Sequence, residues 1–269
     1  MRLLAPTSGV AALLCGYSFA WADNPAAPSP PADERLVFSA DGGSLTGGSG
    51  AGGGALTWLR NVGSGVIGLG GEYQSVANAH WILGNLSASV TLGPGDWKTS
   101  LYADAHEGAG DIGAHAFHYS IVDGGLLASL GPIFSVQLEE RRIDIDTSHG
   151  HLPKLGVSLR MTPQLTGSVS YAQSFGGNLD TKLKTVRLDY AGKVFNWLAG
   201  YAWGPASPAV INLVGQVVAP AGPLKEGFVG VGKSFGRTDW QLLGDYQNLN
   251  GFKRGTVTLV CTLHLGARS

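Results

Sequence analysis

Between residues 165 and 174 the side chains alternate without a break. Leu165, Gly167, Val169 and Tyr171 share one parity, and Thr166, Ser168, Ser170, Ala172 and Ser174 share the other. A period of two places successive side chains on opposite faces of a strand, so one face is apolar and the other polar. The same pattern runs through 97–106, where Lys98, Ser100, Tyr102, Asp104 and His106 oppose Trp97, Thr99, Leu101, Ala103 and Ala105. It returns in 256–265, where Val257, Leu259, Cys261, Leu263 and Leu265 form the apolar set. About ten residues is the length of a tilted strand that crosses a bilayer. Strands of soluble domains average about 5–6.

Eleven further segments fit the template: 35–41, 53–60, 66–75, 81–92, 114–121, 134–146, 155–161, 184–190, 196–203, 227–235 and 240–247. Tight turn signals separate many of them, among them Asn61-Val62-Gly63-Ser64, Gly93-Pro94-Gly95-Asp96, Thr162-Pro163-Gln164, Ala191-Gly192-Lys193 and Gly236-Arg237-Thr238. The other links, 42–52, 107–112, 148–153, 176–181, 204–223 and 248–255, read as longer loops. Short turns on one side and longer loops on the other are expected of an outer-membrane barrel. The apolar stretch 209–218 would make a fifteenth strand and reverse that alternation of turns and loops. It is therefore read as part of one long loop, 204–223, folded inward. The expected fold is all-β: a single antiparallel transmembrane β-barrel of about fourteen strands, with twelve or sixteen left open because bacterial barrels have even counts.

Composition agrees. Charged residues are 14% of the chain, against about 25% in ordinary soluble domains. Net charge is -1, so no basic surface invites nucleic acid. Apolar and aromatic residues run the whole length, which argues against disorder.

The N-terminus reads as a targeting segment. Arg2 supplies a positive charge, residues 10–19 are apolar, and Ala20-Trp21-Ala22 is a small-x-small cleavage site. The expected organisation is a signal peptide over 1–22, a Pro/Ala-rich periplasmic leader over 23–33 and the barrel over 34–269. Leu14 precedes Cys15 where a lipoprotein needs a small residue. Cys261 is then the one mature cysteine, without an intramolecular disulfide.

Alternation sorts the side chains. The outward set is Leu36, Trp58, Leu69, Tyr73, Leu101, Phe117, Val136, Leu159, Leu188, Trp197, Tyr201, Trp240, Tyr246 and Leu263. Aromatics near strand ends match girdles at the two water interfaces. The lumen-lining set is Glu72, Lys98, Asp104, His106, Glu139, Arg141, Arg160, Arg187, Asp189 and Asp245, with His264. Its acids and bases are balanced and scattered, so an open pore would show little charge selectivity. In 139–146 the phase slips, because Ile143 and Ile145 take the parity of Glu139 and Arg141; a bulge would do this, and so would a strand that extends above the membrane, where facing matters less.

Motifs for chemistry are weak. His118-Tyr119-Ser120 is a His-x-Ser pair of the kind found in barrel enzymes that deacylate lipid A. With Phe117, Tyr119 and Ile121 taken as lipid-facing, the pair points inward, and no partner acid is evident by spacing. The glycine run 47–54 lacks the Lys-Ser/Thr of a phosphate loop and reads as a flexible loop. His115, His118, His149 and His151 gather loosely at one rim and read as solvated loop histidines, with metal binding the alternative. No cofactor, catalytic or metal set is assigned.

The signal, the ten-residue alternations and turns such as Arg160-Met161-Thr162-Pro163-Gln164-Leu165-Thr166-Gly167 make the mature chain resemble small bacterial outer-membrane β-barrel proteins, porin-like in type. In texture it is similar to the YaiO-like barrels, some of which accompany surface polysaccharide systems. It departs from the usual barrel ending, because it finishes Leu265-Gly266-Ala267-Arg268-Ser269 and not on an aromatic. The resemblance implies residence in the bacterial outer membrane, among its lipid and lipopolysaccharide, after delivery by the barrel assembly machinery. It implies a passive channel or export conduit for small polar solutes or surface polysaccharide. A structural or adhesive barrel with a plugged lumen is the first alternative, and a lipid-modifying barrel hydrolase the second.

Overall fold

The computed structural model describes residues 2–3, 20–21, 34–211 and 221–265. Arg2–Leu3 pairs antiparallel with Ala20–Trp21. The rest of the signal and leader, residues 212–220 of the long loop, and residues 266–269 lie outside the described residues.

Fourteen strands form the barrel. They are β1 (Glu34–Leu45), β2 (Gly50–Val62), β3 (Gly65–Val76), β4 (Ala79–Leu92), β5 (Thr99–Ile112), β6 (His115–Leu130) and β7 (Phe134–Ile145). The second half holds β8 (Ser148–Arg160), β9 (Leu165–Gln173), β10 (Lys182–Ala191), β11 (Asn196–Ala206), β12 (Gly222–Phe235), β13 (Thr238–Leu249) and β14 (Phe252–His264). Each pairs antiparallel with the next, and β14 closes on β1, with Leu263 opposite Leu36 and Leu259 opposite Ala40. Closure removes the edges whose bare N–H and C=O groups lipid could not satisfy.

All fourteen expected strands are present. Their ends differ from expectation at one side of the barrel. Call the side where the chain enters at Glu34 and leaves at His264 the terminal end, and the other the loop end. At the loop end residues 42–45, 107–112, 148–153 and 252–255, read above as loop, belong to strands. Several hairpins there close in two residues, with Ala77, Asp146 and Asn250 at φ of 54°, 53° and 49°. Left-handed turn residues of this kind match the strand twist. Gly50 to Gly54 are likewise strand, and only 46–49 turn, with Gly47 and Gly48 at positive φ. Long links remain at 174–181 and 207–221. The latter opens on a short 3-10 turn, Pro208–Ile211, inside the lumen mouth, with Ala209 and Val210 buried.

The outer wall is apolar over the middle of the strands. Leu69, Ile82, Leu86, Val169, Val229 and Val257 are each more than half exposed. Exposed apolar area on this scale calls for a lipid solvent. Among the described residues, outward charges keep to the two ends: Glu107, Glu140, Arg142, Lys184 and Lys225 toward the loop end, Arg60 and Lys233 toward the terminal end. Aromatics mark the same borders. Tyr190 stacks on Trp197 at 5.6 Å near the terminal end, and Tyr201 on Trp203 at 5.8 Å toward the loop end.

One facing reverses the sequence reading. Phe117 is 6% exposed and points inward with Tyr119 and Ile121, while His118 is exposed on the outer wall. The other outward residues keep the face assigned to them. Nor is there a bulge in β7: Glu139, Arg141, Ile143 and Ile145 continue one inward parity. Both differences have one cause. The loop-end half of the lumen is dry, so apolar side chains there face in.

Candidate functional site: the barrel lumen

The lumen divides into three layers along its axis. At the terminal end a cavity of about 330 Å³ opens between the turns. Its wall mixes small polar side chains, among them Ser129, Ser135, Gln137, Ser158, Thr166, Ser168, Ser170 and Thr185, with apolar ones such as Leu127, Ile133, Phe134 and Trp197. Lys98, Arg160, Arg187 and Asp189 also line it. Lys98 sits just before β5, and Arg160 is exposed at the rim. Arg187 is tied to Asp189 two residues along β10, with Nε donating to the two carboxylate oxygens at 2.9 and 2.8 Å.

The middle layer is charged and buried. On one side β5 to β8 carry Asp104, His106, Asp123, Glu139, Arg141 and Lys154. The register sets Asp104 opposite Asp123, and Asp123 opposite Arg141. Arg141 Nε donates to Asp123 Oδ1 at 2.6 Å, and its Nη2 lies 3.6 Å from Glu139. Lys154 Nζ reaches Glu139 at 3.5 Å. Tyr102 donates to Glu139 at 2.9 Å across Gly125, which lies between them in the row. A Cβ at Gly125 would press on the Tyr102 hydroxyl at 2.6 Å, so the glycine clears the path.

On the other side β12, β13, β14, β1 and β3 carry Glu226, Asp245, Arg254, Asp41 and Glu72, all buried or nearly so. Gln74 Nε2 donates to Asp41 Oδ1 at 3.0 Å over the bare Gly53, and Gln247 Nε2 donates to Glu226 Oε1 at 3.2 Å. Arg254 faces Asp245, Asp41 and Glu226, and its Nε donates to Thr256 Oγ1 at 3.0 Å. Phe228 and Leu243, with Leu198, form an apolar sill between this wall and the cavity.

The third layer closes the loop end. Trp81 stacks on Tyr119 at 6.1 Å and meets Phe117 edge-on at 6.5 Å. Ile121, Ile143, Ile145, Leu152, Leu183, Leu224 and Leu249 pack around them, and Ala209 and Val210 of the long loop complete the cluster. The inward folding expected of the loop thus holds for its described part. This aromatic and aliphatic cluster fills the loop end of the lumen and stands as a constriction there.

All ten lumen candidates lie on inward parity or at the cavity mouth. The structure does not scatter their charges evenly, as the sequence reading had them. Lys98, Arg160, Arg187 and Asp189 gather at the terminal end, whereas Glu72, Asp104, His106, Glu139 and Asp245 lie deeper, with Arg141. Sequence reading missed Asp41, Asp123, Lys154, Glu226, Arg254, Gln74 and Gln247. Continuing each strand's parity past its assumed end would have found most of them.

Outside, at the loop end, His118 and Ser120 share the outer wall with Glu107, which is directly opposite Ser120 on β5. Glu107 accepts from Ser120 and pairs with His118 Nε2. This corrects two readings at once: the His-x-Ser pair faces outward, and an acid is present. The acid stands between the two residues, however, and is itself the partner of His118. Two of the other rim histidines each hold a carboxylate of their own, and the His149 backbone N–H donates to Asn178 Oδ1. His115 meets Asp146 at 3.0 Å, and His151 meets Glu140 at 2.8 Å and stacks on Phe175. Among the described residues no three acids, histidines or cysteines are placed to hold a metal ion.

No family model matches the chain, and no curated protein matches it. Solved structures of outer-membrane channels share its fold. A monoaromatic hydrocarbon channel, CymD, is 10% identical over 89% of this chain and 90% of its own, with a TM-score of 0.62. The toluene transporter TodX of Pseudomonas putida is 8% identical over 86% and 89%, with a TM-score of 0.54. The toluene transporter TbuX of Ralstonia pickettii is 9% identical over 86% and 88%, with a TM-score of 0.53. At these identities the likeness is one of fold.

Proposed function

We propose that this protein is a passive channel for small polar solutes in the bacterial outer membrane, with its terminal end toward the periplasm. The observation that carries the reading is the cavity of about 330 Å³ inside a closed barrel, which holds serine, threonine, glutamine and charged side chains and reaches Lys154 of the middle layer. Lipid and lipopolysaccharide surround the apolar wall, and the barrel assembly machinery delivers the chain. The fold shared with hydrocarbon channels supports a transport role. A polar solute is read from the serine, threonine, glutamine and arginine side chains of this cavity, which stand beside apolar ones such as Leu127, Phe134 and Trp197. The gate is the loop-end cluster with the segment 207–210. Ala206 and Gly222 are directly opposite each other, so a two-residue Asn-Gly turn can replace 207–221 without disturbing the hairpin.

Proteoliposome swelling tests this. Vesicles carrying the barrel should swell in isosmotic glycine or arabinose faster than empty ones, and faster still with the loop replaced. Swelling no faster than empty vesicles in both forms would refute it. The packed loop-end cluster favours a second reading, a structural barrel whose lumen never opens, and that refuting result would establish it.

A further inference from the structure

The middle layer of the lumen holds buried oxygens with no protein partner. Neither carboxylate oxygen of Glu72, 3% exposed, has a partner of good hydrogen-bond geometry, the Gln74 amide two residues along β3 being its neighbour. Asp41 Oδ2, Glu226 Oε2 and Asp245 Oδ1 lack a partner as well. Two neutral side chains share this state. Gln74 and Gln247 are 1% and 2% exposed, each spends its amide N–H on a neighbouring acid, and each leaves its carbonyl oxygen unpartnered. A buried acceptor without a donor costs free energy that a folded protein normally avoids.

The charges do not balance either. On this wall stand four acids, Asp41, Glu72, Glu226 and Asp245, and among the described residues Arg254 is the cation beside Asp41, Glu226 and Asp245. The opposite side of the layer has Asp104, Asp123 and Glu139 against Arg141 and Lys154, so it supplies no spare positive charge. One donor in this layer, Arg254 Nη1, is itself unpartnered, and the unpartnered acceptors outnumber it, so a cation with hydrogen-bond donors would meet those left over.

The register spaces these acceptors. Glu226 and Gln247 share one row of the sheet with Arg254, Asp245 shares the next with Thr256, Asp41 and Gln74 flank Gly53 in the third, and Glu72 lies opposite Ala55 in the fourth. Such a staircase is too open to coordinate a metal ion, and no metal-holding group exists among the described residues. It fits N–H donors that step from one acceptor to the next.

We propose that the wall formed by Asp41, Glu72, Gln74, Glu226, Asp245 and Gln247 is a binding site for the primary ammonium group of a small solute, and makes the channel select amine-bearing cations. The proposal rests on the channel reading for its transport half only. A solute enters over the Phe228 and Leu243 sill, and its ammonium group donates to the unpartnered oxygens in place of Arg254's missing counterparts. Negative potential focused in a low-dielectric lumen raises local cation concentration.

The test has two arms on the folded, full-length barrel. In the first, thermal unfolding is followed with methylammonium chloride or with sodium chloride at equal ionic strength. Methylammonium should raise the midpoint of wild type by several degrees over sodium, and the gain should vanish in the Glu72→Gln, Glu226→Gln double variant. Glutamine is isosteric and removes unpartnered charge, so the variant should fold; Glu72→Gln alone serves if it does not. In the second arm, reversal potentials are measured with the long loop replaced. Methylammonium should be preferred over chloride by roughly tenfold, a ratio within what charged clefts achieve, and the double variant should lose the preference. A midpoint shift without conduction would keep the site and end the channel reading. Conduction without a midpoint shift or a cation preference would keep the channel and overturn the site. A shift that survives in the double variant would also overturn it.

Discussion

Val169 and Ser170 are neighbours on β9 that face opposite ways. Val169 is 51% exposed on the outer wall, in one row of the sheet with Val157, Val186 and Tyr201, and Ser170 lines the cavity. Arginine at Val169 must place its charge in hydrocarbon. Near the midplane that costs about 2–4 kcal/mol, or roughly 30- to 900-fold in the folding equilibrium. Arginine at Ser170 reaches into the cavity of about 330 Å³, opposite Gly156 and Thr185. Its cost there should stay below about 1 kcal/mol, as for substitutions away from packed or desolvated sites. The assay is urea-titrated folding into lipid vesicles, read from the shifted band of the unheated barrel on a gel. Equal losses at the two positions, or a larger loss at Ser170, would mean that the faces are misassigned and the barrel reading of β9 is wrong.

Other outcomes follow from single contacts. Arg141→Met should destabilise the barrel by about 3–5 kcal/mol, because it leaves Asp123 and Glu139 buried without their guanidinium; an unchanged urea midpoint would contradict it. Trp81→Ala should cost about 3–5 kcal/mol and raise the conductance of the folded fraction, since its ring stacks on Tyr119 in the closure. Replacing Arg160 and Arg187 by Glu should shift the reversal potential further toward cations, as both line the terminal-end cavity; no shift would place the pathway elsewhere. Purified protein should not cleave acyl chains from lipid A, because Glu107 and not Ser120 is the partner of His118. Hydrolysis lost in Ser120→Ala would make the outer-wall cluster an active site.

The strands were legible because membrane and lumen impose opposite chemistry on alternate residues over about ten positions. The alternation in 165–174 needed nothing else. It misled where the lumen is dry. Phe117, Tyr119 and Ile121 read as lipid-facing because apolar residues were assumed to point out, yet they pack on Trp81 inside. The expected strand stopped at Ile121, while β6 runs on to Leu130. Asp123, two residues beyond, has the same parity as Tyr119 and would have signalled an inward face. Two of the missed charges, Glu226 and Arg254, have a related cause. Glu226 stands one residue outside an expected strand, and Arg254 within an expected loop, because the strands continue past the membrane before they turn. Their partnership across β12, β14 and β1 is set by closure of the barrel, which joins residues more than 200 positions apart, as Arg254 and Leu45 are.

Single-channel recording of the purified barrel in planar bilayers, with and without residues 207–221, bears most directly on the central claim. The account predicts discrete conductance steps in wild type, larger steps when the loop is replaced by Asn-Gly, and a cation preference in both. A barrel that inserts and shows the heat-shifted band, yet passes no current in either form, would contradict it.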